Sequence, residues 1–186
     1  ASSFVKRINT GEQISIIQYD RSANLIQDFT SSKDLLLKAL QQIDYGNNPR
    51  VLDALYASID DGFEHTVGRR GIVLLSAGVE GRSRVSESEV LQIARQKNVA
   101  IYPVYAVGAE RRMFRRLAEY SGGSYFEVRR LKLQPQPLAD LVFSVVRGCY
   151  KLSVSGVYTL GRRIQVTIGG LPKSDKKIWA SARPIG

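Results

Sequence analysis

The apolar positions along the chain switch between two periods. The β-branched run Ile14–Tyr19 predicts a buried strand, and residues 25–29 follow a polar turn as its hairpin partner. Ser32 is placed to cap a helix through Gln42, with Leu36, Leu37, Leu40 and Ile43 on one face. Residues 45–49 read as a loop. Val51, Leu52, Leu55, Tyr56, Ile59 and Phe63 then recur at helical spacing. Residues 71–76 predict another buried strand, ending in a loop over 77–85.

Ser86 and Glu89 form a capping-box pair for a helix to Lys97 with Val90, Leu91 and Ala94 inside. Residues 100–107 read as a strand, with Pro103 marking a bulge or irregular pairing. From Glu110 to Tyr120, Met113, Phe114, Leu117 and Ala118 face inward, and four arginines share the opposite side. Ser121-Gly122-Gly123 ends that helix, and residues 124–128 read as a strand. A polar connector over 129–137 precedes a helix marked by Leu138, Leu141, Val142, Val145, Val146 and Cys149. Strands alternating with helices over residues 14–149 predict an α/β fold, a doubly wound, mainly parallel sheet covered on both faces. From Tyr150 onward only strand-like runs separated by Gly-containing turns remain. The expected organisation is a domain over 1–149 with a small antiparallel β extension over 150–186 packed on it.

Charge is unevenly spread. The 186 residues carry 27 Lys and Arg against 17 Asp and Glu, a net of +10. Residues 1–110 hold 12 basic and 13 acidic side chains, whereas residues 111–186 hold 15 and 4. The excess therefore belongs to the C-terminal two-fifths, as a solubilising surface or as a polyanion site.

One Cys excludes an intrachain disulfide and any Cys-based metal cluster, and one His excludes a His-rich metal centre. No phosphate-binding glycine loop and no G-x-S-x-G nucleophile elbow occur. His65 reads as a solvated residue at a helix C-terminus, Cys149 as a buried inert thiol, and Asp60-Asp61 as helix surface. No catalytic residue is assigned, and no apolar run is long enough for a membrane span. The chain lacks an initiator Met, and Ala1 to Ile8 read as the last turns of a helix, so an upstream part is expected.

The order of Gly71-Ile-Val-Leu-Leu-Ser-Ala-Gly78, Val99-Ala-Ile-Tyr-Pro-Val-Tyr105 and Leu117-Ala-Glu-Tyr-Ser-Gly-Gly-Ser-Tyr-Phe126 after a strand, hairpin and helix resembles a von Willebrand factor A (vWA) domain. It is most similar to the bacterial VWFA-related subfamily, whose C-terminal β extension the tail also resembles. The resemblance implies a binding function and a secreted or periplasmic setting, and with one His, one Cys, no phosphate loop and no identifiable nucleophile no enzymatic activity is expected. It also implies a metal-ion-dependent adhesion site at the C-terminal sheet edge. That site uses Asp-x-Ser-x-Ser after the first strand, a Thr and an Asp. Here the first strand would precede Ala1, the Thr position falls on Pro49, and the Asp position falls on Ala77. Neither has a side-chain oxygen, and a hard divalent cation needs several. The expectation is a degenerate site with no metal and no cofactor.

The resemblance carries a structural problem. The absent first strand belongs between Ile14–Tyr19 and residues 71–76. Strands lie ~4.8 Å apart, so its absence leaves a gap of roughly 10 Å with two unpaired edges. Upstream residues are the expected solution. The alternatives are a tail strand, a strand from a second copy, which would make a homo-oligomer through the unpaired edge, or closure of the sheet with a new neighbour order.

The leading functional expectation is metal-independent protein binding at the loop edge of Asn47, Asn48, Arg50, Ser76, Glu80, Arg82 and Arg84. The alternative for these is ordinary solvated loop. The second expectation is nucleic-acid or polyanion binding by Arg111, Arg112, Arg115, Arg116, Arg129, Arg130 and Lys132.

Overall fold

The computed structural model describes residues 1–148 apart from 45, 65, 107, 109 and 132–136 and the side chains of 130 and 131. His65, Lys132, Cys149, the side chain of Arg130 and the expected β tail lie outside the described residues. Ala1–Gly148 forms one compact unit.

Twelve elements follow in order: α1 (Ser2–Val5), β1 (Ile14–Tyr19), β2 (Ala23–Thr30), α2 (Lys33–Leu40), α3 (Val51–Asp60), β3 (Arg70–Ser76), α4 (Glu87–Gln96), β4 (Val99–Tyr105), α5 (Arg111–Ser121), β5 (Phe126–Glu127), α6 (Val128–Leu131) and α7 (Leu138–Arg147). The mixed α/β architecture agrees with the sequence pattern. The capping box of α4 is formed: Ser86 Oγ accepts from the Glu89 amide, and Glu89 accepts from the Ser86 amide. Helix α5 ends on Gly122 at φ 85°, a left-handed position that glycine adopts without a Cβ clash.

Among the described residues the strands form two sheets, not one. β1 and β2 pair antiparallel, and β3, β4 and β5 form a parallel sheet in that order. β1 does not pair with β3, so the sheet has not closed up with a new neighbour order. The two sheets are joined by their helices. On one face, α3, α4 and α5 bury Val51, Leu55, Ile59, Val90 and Phe114 over Ile101 and Tyr105 of β4, with Tyr19, Phe29 and Ile72 packed against them. The Phe29 and Phe63 rings lie 5.7 Å apart within this layer. On the other face, Val5 and Ile8 pack with Ile16 and Leu36, while Phe4 packs on the cluster of Tyr102, Val104, Phe126 and Val142. Helix α1 thus touches both sheets.

A polar clasp fastens this second face. Arg7 pairs through two nitrogens with Asp140 of α7. Arg147 donates at 2.7 Å to both oxygens of Glu12 and to the Arg7 carbonyl.

Three expectations are corrected. Pro103 causes no bulge, because β3 and β4 stay in unbroken register from Arg70↔Val99 to Ser76↔Tyr105. The Ala106 amide bonds the Ser76 carbonyl, and Ile101 N–H bonds Ser121 Oγ on the opposite side. Alternation along the strand then turns Pro103 toward β5, whose ladder reaches only Val104 and Tyr105, so its missing N–H removes no bond. Next, β5 is two residues long, and Arg129 and Arg130 lie in α6, not in an extended connector. Finally, β1 and β3 are less buried than their apolar sequences predict. Only Ile16 and Leu74 are buried in them, whereas every residue of β4 except Ala100 is. Among the described residues β4 has strand neighbours on both edges, and β1 and β3 have one each.

Two measurements check this packing. Phe114 is fully buried and stacks on Tyr105 at 5.0 Å, so Phe114→Ala is expected to lower unfolding free energy by ~3–5 kcal/mol in urea titration. The clasp predicts a pH effect. Salt-bridging hydrogen bonds from Arg147 and Arg7 hold the carboxyls of Glu12 and Asp140 below the ordinary range. Their stabilising contribution is present above the unfolded pKa, ~4, and is lost as pH falls through the lower folded values. The double variant Glu12→Gln, Asp140→Asn should therefore show a shallower loss of stability below about pH 4 than the parent.

Candidate binding edge

The C-terminal ends of β1 and β3 meet the start of α3, and the loop 77–85 folds over them. Arg50, the residue before α3, offers no side-chain cap. The cap comes instead from thirty residues further on. Glu80 Oε2 accepts from the amides of Val51 at 2.9 Å and Leu52 at 3.3 Å. Ser83 Oγ accepts from Leu52 at 3.1 Å and Asp53 at 3.2 Å. Glu80 Oε1 takes the Ser83 amide at 2.6 Å. The free amides and positive dipole end of a helix attract an anion, and here the protein supplies its own.

The remaining acidic groups are similarly engaged. Asp53 Oδ1 accepts from the amides of Arg84 and Val85, and Asp20 Oδ1 accepts from Asn48 N–H at 2.7 Å. The Asp20 carbonyl takes Arg50 N–H at 2.8 Å, and Gly81 N–H bonds the Pro49 carbonyl at 2.7 Å. Ser76 Oγ accepts from Gly78 N–H at 3.0 Å. Gly78 has φ 96°, and a Cβ there would lie 2.7 Å from the Ala106 carbonyl oxygen. Only glycine allows this tight exit from β3 beside the end of β4.

Tyr19 links the two sheets at this edge. Its hydroxyl donates to the Leu75 carbonyl at 3.0 Å. Burial raises the phenol pKa, with a hydrogen bond from Ser76 opposing and the Glu80 charge adding to the shift.

Of the seven edge residues expected from sequence, Asn48, Arg50, Ser76 and Glu80 are bound into this network. Asn47, Arg82 and Arg84 present exposed side chains, beside exposed Ala77 and Val79. Sequence reasoning missed Tyr19, Asp20, Asp53 and Ser83. An S/T/D residue near a helix start was the available signal, but these act across the fold, not at the adjacent cap position.

Solved structures share this fold. A mussel byssus protein, proximal thread matrix protein 1, matches with TM-score 0.62 and 16% identity over 78% of this chain and 38% of its own length. A von Willebrand factor type A protein from Catenulispora acidiphila matches with TM-score 0.58 and 10% identity, over 79% of this chain and 35% of its own. The fold is vWA-like. BatB from Bacteroides thetaiotaomicron matches with TM-score 0.57 and 12% identity, over 78% of this chain and 81% of its own. The chain spans about two-fifths of the length of the mussel protein. No protein-family model and no curated protein matches the sequence.

The mussel protein has been solved with zinc in its metal-ion-dependent adhesion site. The vWA-like edge here brings a different donor set. Pro49 and Ala77 lack side-chain oxygens, and Glu80, Asp53 and Asp20 are bonded to backbone amides. Among the described residues no three His, Cys, Asp or Glu side chains are grouped to hold a metal. These residues do not fit a hard divalent cation.

The basic helix α5 is largely ion-paired. Arg111 meets the buried carboxylate of Glu127 at 3.2 Å. Arg115 pairs with Glu119 at 2.8 Å and lies over the Tyr125 ring, and Arg116 donates through Nε and an NH2 group to the two oxygens of Glu87. Arg112 and Arg129 are exposed.

Glu80→Ala should leave the α3 amides of Val51 and Leu52 without their shared acceptor. The expected cost is ~1–2 kcal/mol of unfolding free energy by urea titration. The control Arg82→Ala, an exposed side chain, should change stability by less than about 0.5 kcal/mol.

Proposed function

We propose that this vWA-like chain is a non-catalytic protein-interaction domain that engages its partner at the C-terminal sheet edge without a metal ion. The observation that carries the reading is the fate of the edge carboxylates. Glu80 through both oxygens, and Asp53 and Asp20 through Oδ1, accept from backbone amides and so hold the loops together. Open α/β sheets place ligands at this edge. Exposed Asn47, Arg82 and Arg84 next to the apolar Ala77 and Val79 give it a mixed surface of the kind that protein contacts use. The fold likeness to solved vWA structures supports the binding role, and the single His and single Cys leave little material for nucleophilic catalysis.

Polyanion binding by α5 is the weaker reading. Three of its four arginines already have carboxylate partners, so phosphate would have to displace them.

A photo-crosslinker in place of Arg82, and separately in place of the distant Leu25, tests the proposal in extracts of the source cells. Adducts from position 82 should form equally in EDTA and in Mg²⁺. Adducts that vanish in EDTA, or that form only from position 25, contradict it. Filter binding of DNA, RNA and heparin at low and high salt addresses the second reading, and no retention at low salt is expected.

A further inference from the structure

The loop between β3 and α4 holds its arginines differently from α5. Arg111, Arg115 and Arg116 of α5 each meet a carboxylate of the fold. Arg82 and Arg84 are exposed, and among the described residues neither side chain makes an ion pair or a hydrogen bond. A guanidinium is permanently charged and carries five N–H donors, so each is a cation open to an incoming anion.

The backbone that carries them is fixed. Gly81 N–H bonds the Pro49 carbonyl at 2.7 Å, and Ser83 N–H bonds Glu80 Oε1 at 2.6 Å. Between these bonds Arg82 stands at φ 60°, in the left-handed region that is costly for a residue with a Cβ. Ser83 Oγ is turned inward onto the Leu52 and Asp53 amides, and Asp53 Oδ1 holds Arg84 N–H at 2.8 Å. The loop thus commits its amides and its serine to α3, and holds one arginine out on either side of Ser83. A strained backbone pinned by its surroundings beneath a free charged side chain has the character of a preorganised contact residue.

The nearby carboxylates face the other way. Glu80, Asp53 and Asp20 accept from backbone amides, and Arg50 lies 4.0 Å from Asp53. Beside the two arginines, Val79 is 49% exposed and Ala77 is exposed. The surface therefore combines fixed positive charge with a small apolar area. Carboxylates complement the first and apolar side chains the second, whereas a phosphate backbone offers Val79 no apolar partner.

We propose, on the reading of this edge as a protein-binding surface, that Arg82 and Arg84 anchor an acidic segment of the partner protein, one in which Asp or Glu alternates with apolar residues. Each guanidinium donates to a carboxylate, and Val79 receives an apolar side chain from between them.

The test uses the whole chain and the synthetic peptide GAEVEVEAG, with GAQVQVQAG and GAKVKVKAG as controls. NMR follows the arginine Nε–Hε signals and the Val79 methyls. The first peptide should shift Arg82, Arg84 and Val79 saturably, leave Arg112 and Arg129 in place, and weaken with added salt; the controls should shift none of them. Its affinity should fall about tenfold in the double variant Arg82→Gln, Arg84→Gln, and Arg82→Lys, Arg84→Lys should recover most of the loss. No saturable shift, equal binding of the glutamine peptide, or equal shifts by heparin or an oligonucleotide overturns the proposal. A photo-crosslinker at Asn47 in extracts of the source cells separates this failure from that of the edge itself. Adducts that persist undiminished in the double glutamine variant leave the edge as a binding surface and remove the arginine anchors. No adduct from Asn47 even with both arginines present removes both.

Discussion

The rest of the structure depends on a backbone ladder that is not made. Among the described residues β1 and β3 lie in separate sheets, and no strand ladder joins the antiparallel pair to the parallel sheet. Their union falls to side chains. Helix α3 lays Val51, Leu55 and Ile59 across both on one face, and α1 places Phe4 on one cluster and Val5 on another. The Arg7–Asp140 and Arg147–Glu12 pairs fasten α1 and the turn after it to α7. Exposed ion pairs add little energy each, so the apolar layers carry most of the stability. Tyr19, half-buried, closes the arrangement at the loop edge, where its hydroxyl donates to the Leu75 carbonyl.

The same edge shows a loop carboxylate serving the fold itself. The start of α3 needs an acceptor, and Glu80 provides one from the loop after β3. That choice ties loop 77–85 to α3. What remains outward is Asn47, Arg82 and Arg84, a surface suited to polar contacts with a protein. Charge follows a similar rule on α5, where Arg111, Arg115 and Arg116 serve Glu127, Glu119 and Glu87 before any outside partner.

Much of the fold was legible in the sequence wherever one local period dominated. The α4 capping box, the inward face of α5 and the Ile14–Tyr19 hairpin all depend on neighbours within a few residues. Long-range features were not legible. The cap on α3 joins residues 28 to 31 apart, and the ion pair of Arg116 with Glu87 joins residues 29 apart. Nor could periodicity show that β3, as apolar as β4, would have one strand neighbour among the described residues where β4 has two. Pro103 misled for a related reason, since its cost depends on which neighbour its missing N–H faces. The candidate edge follows from the order of strands and loops. The residues that hold it together, Asp20, Asp53 and Ser83, came only from the structure.

The separation of the two sheets is tested most directly by through-hydrogen-bond scalar couplings on isotopically labelled protein. Couplings should appear between Ala106 N–H and Ser76 C=O, and along the β1–β2 hairpin, with none joining β1 to β3. A set of couplings from Gly71, Val73 or Leu75 to residues of β1 would show a closed sheet and contradict the account.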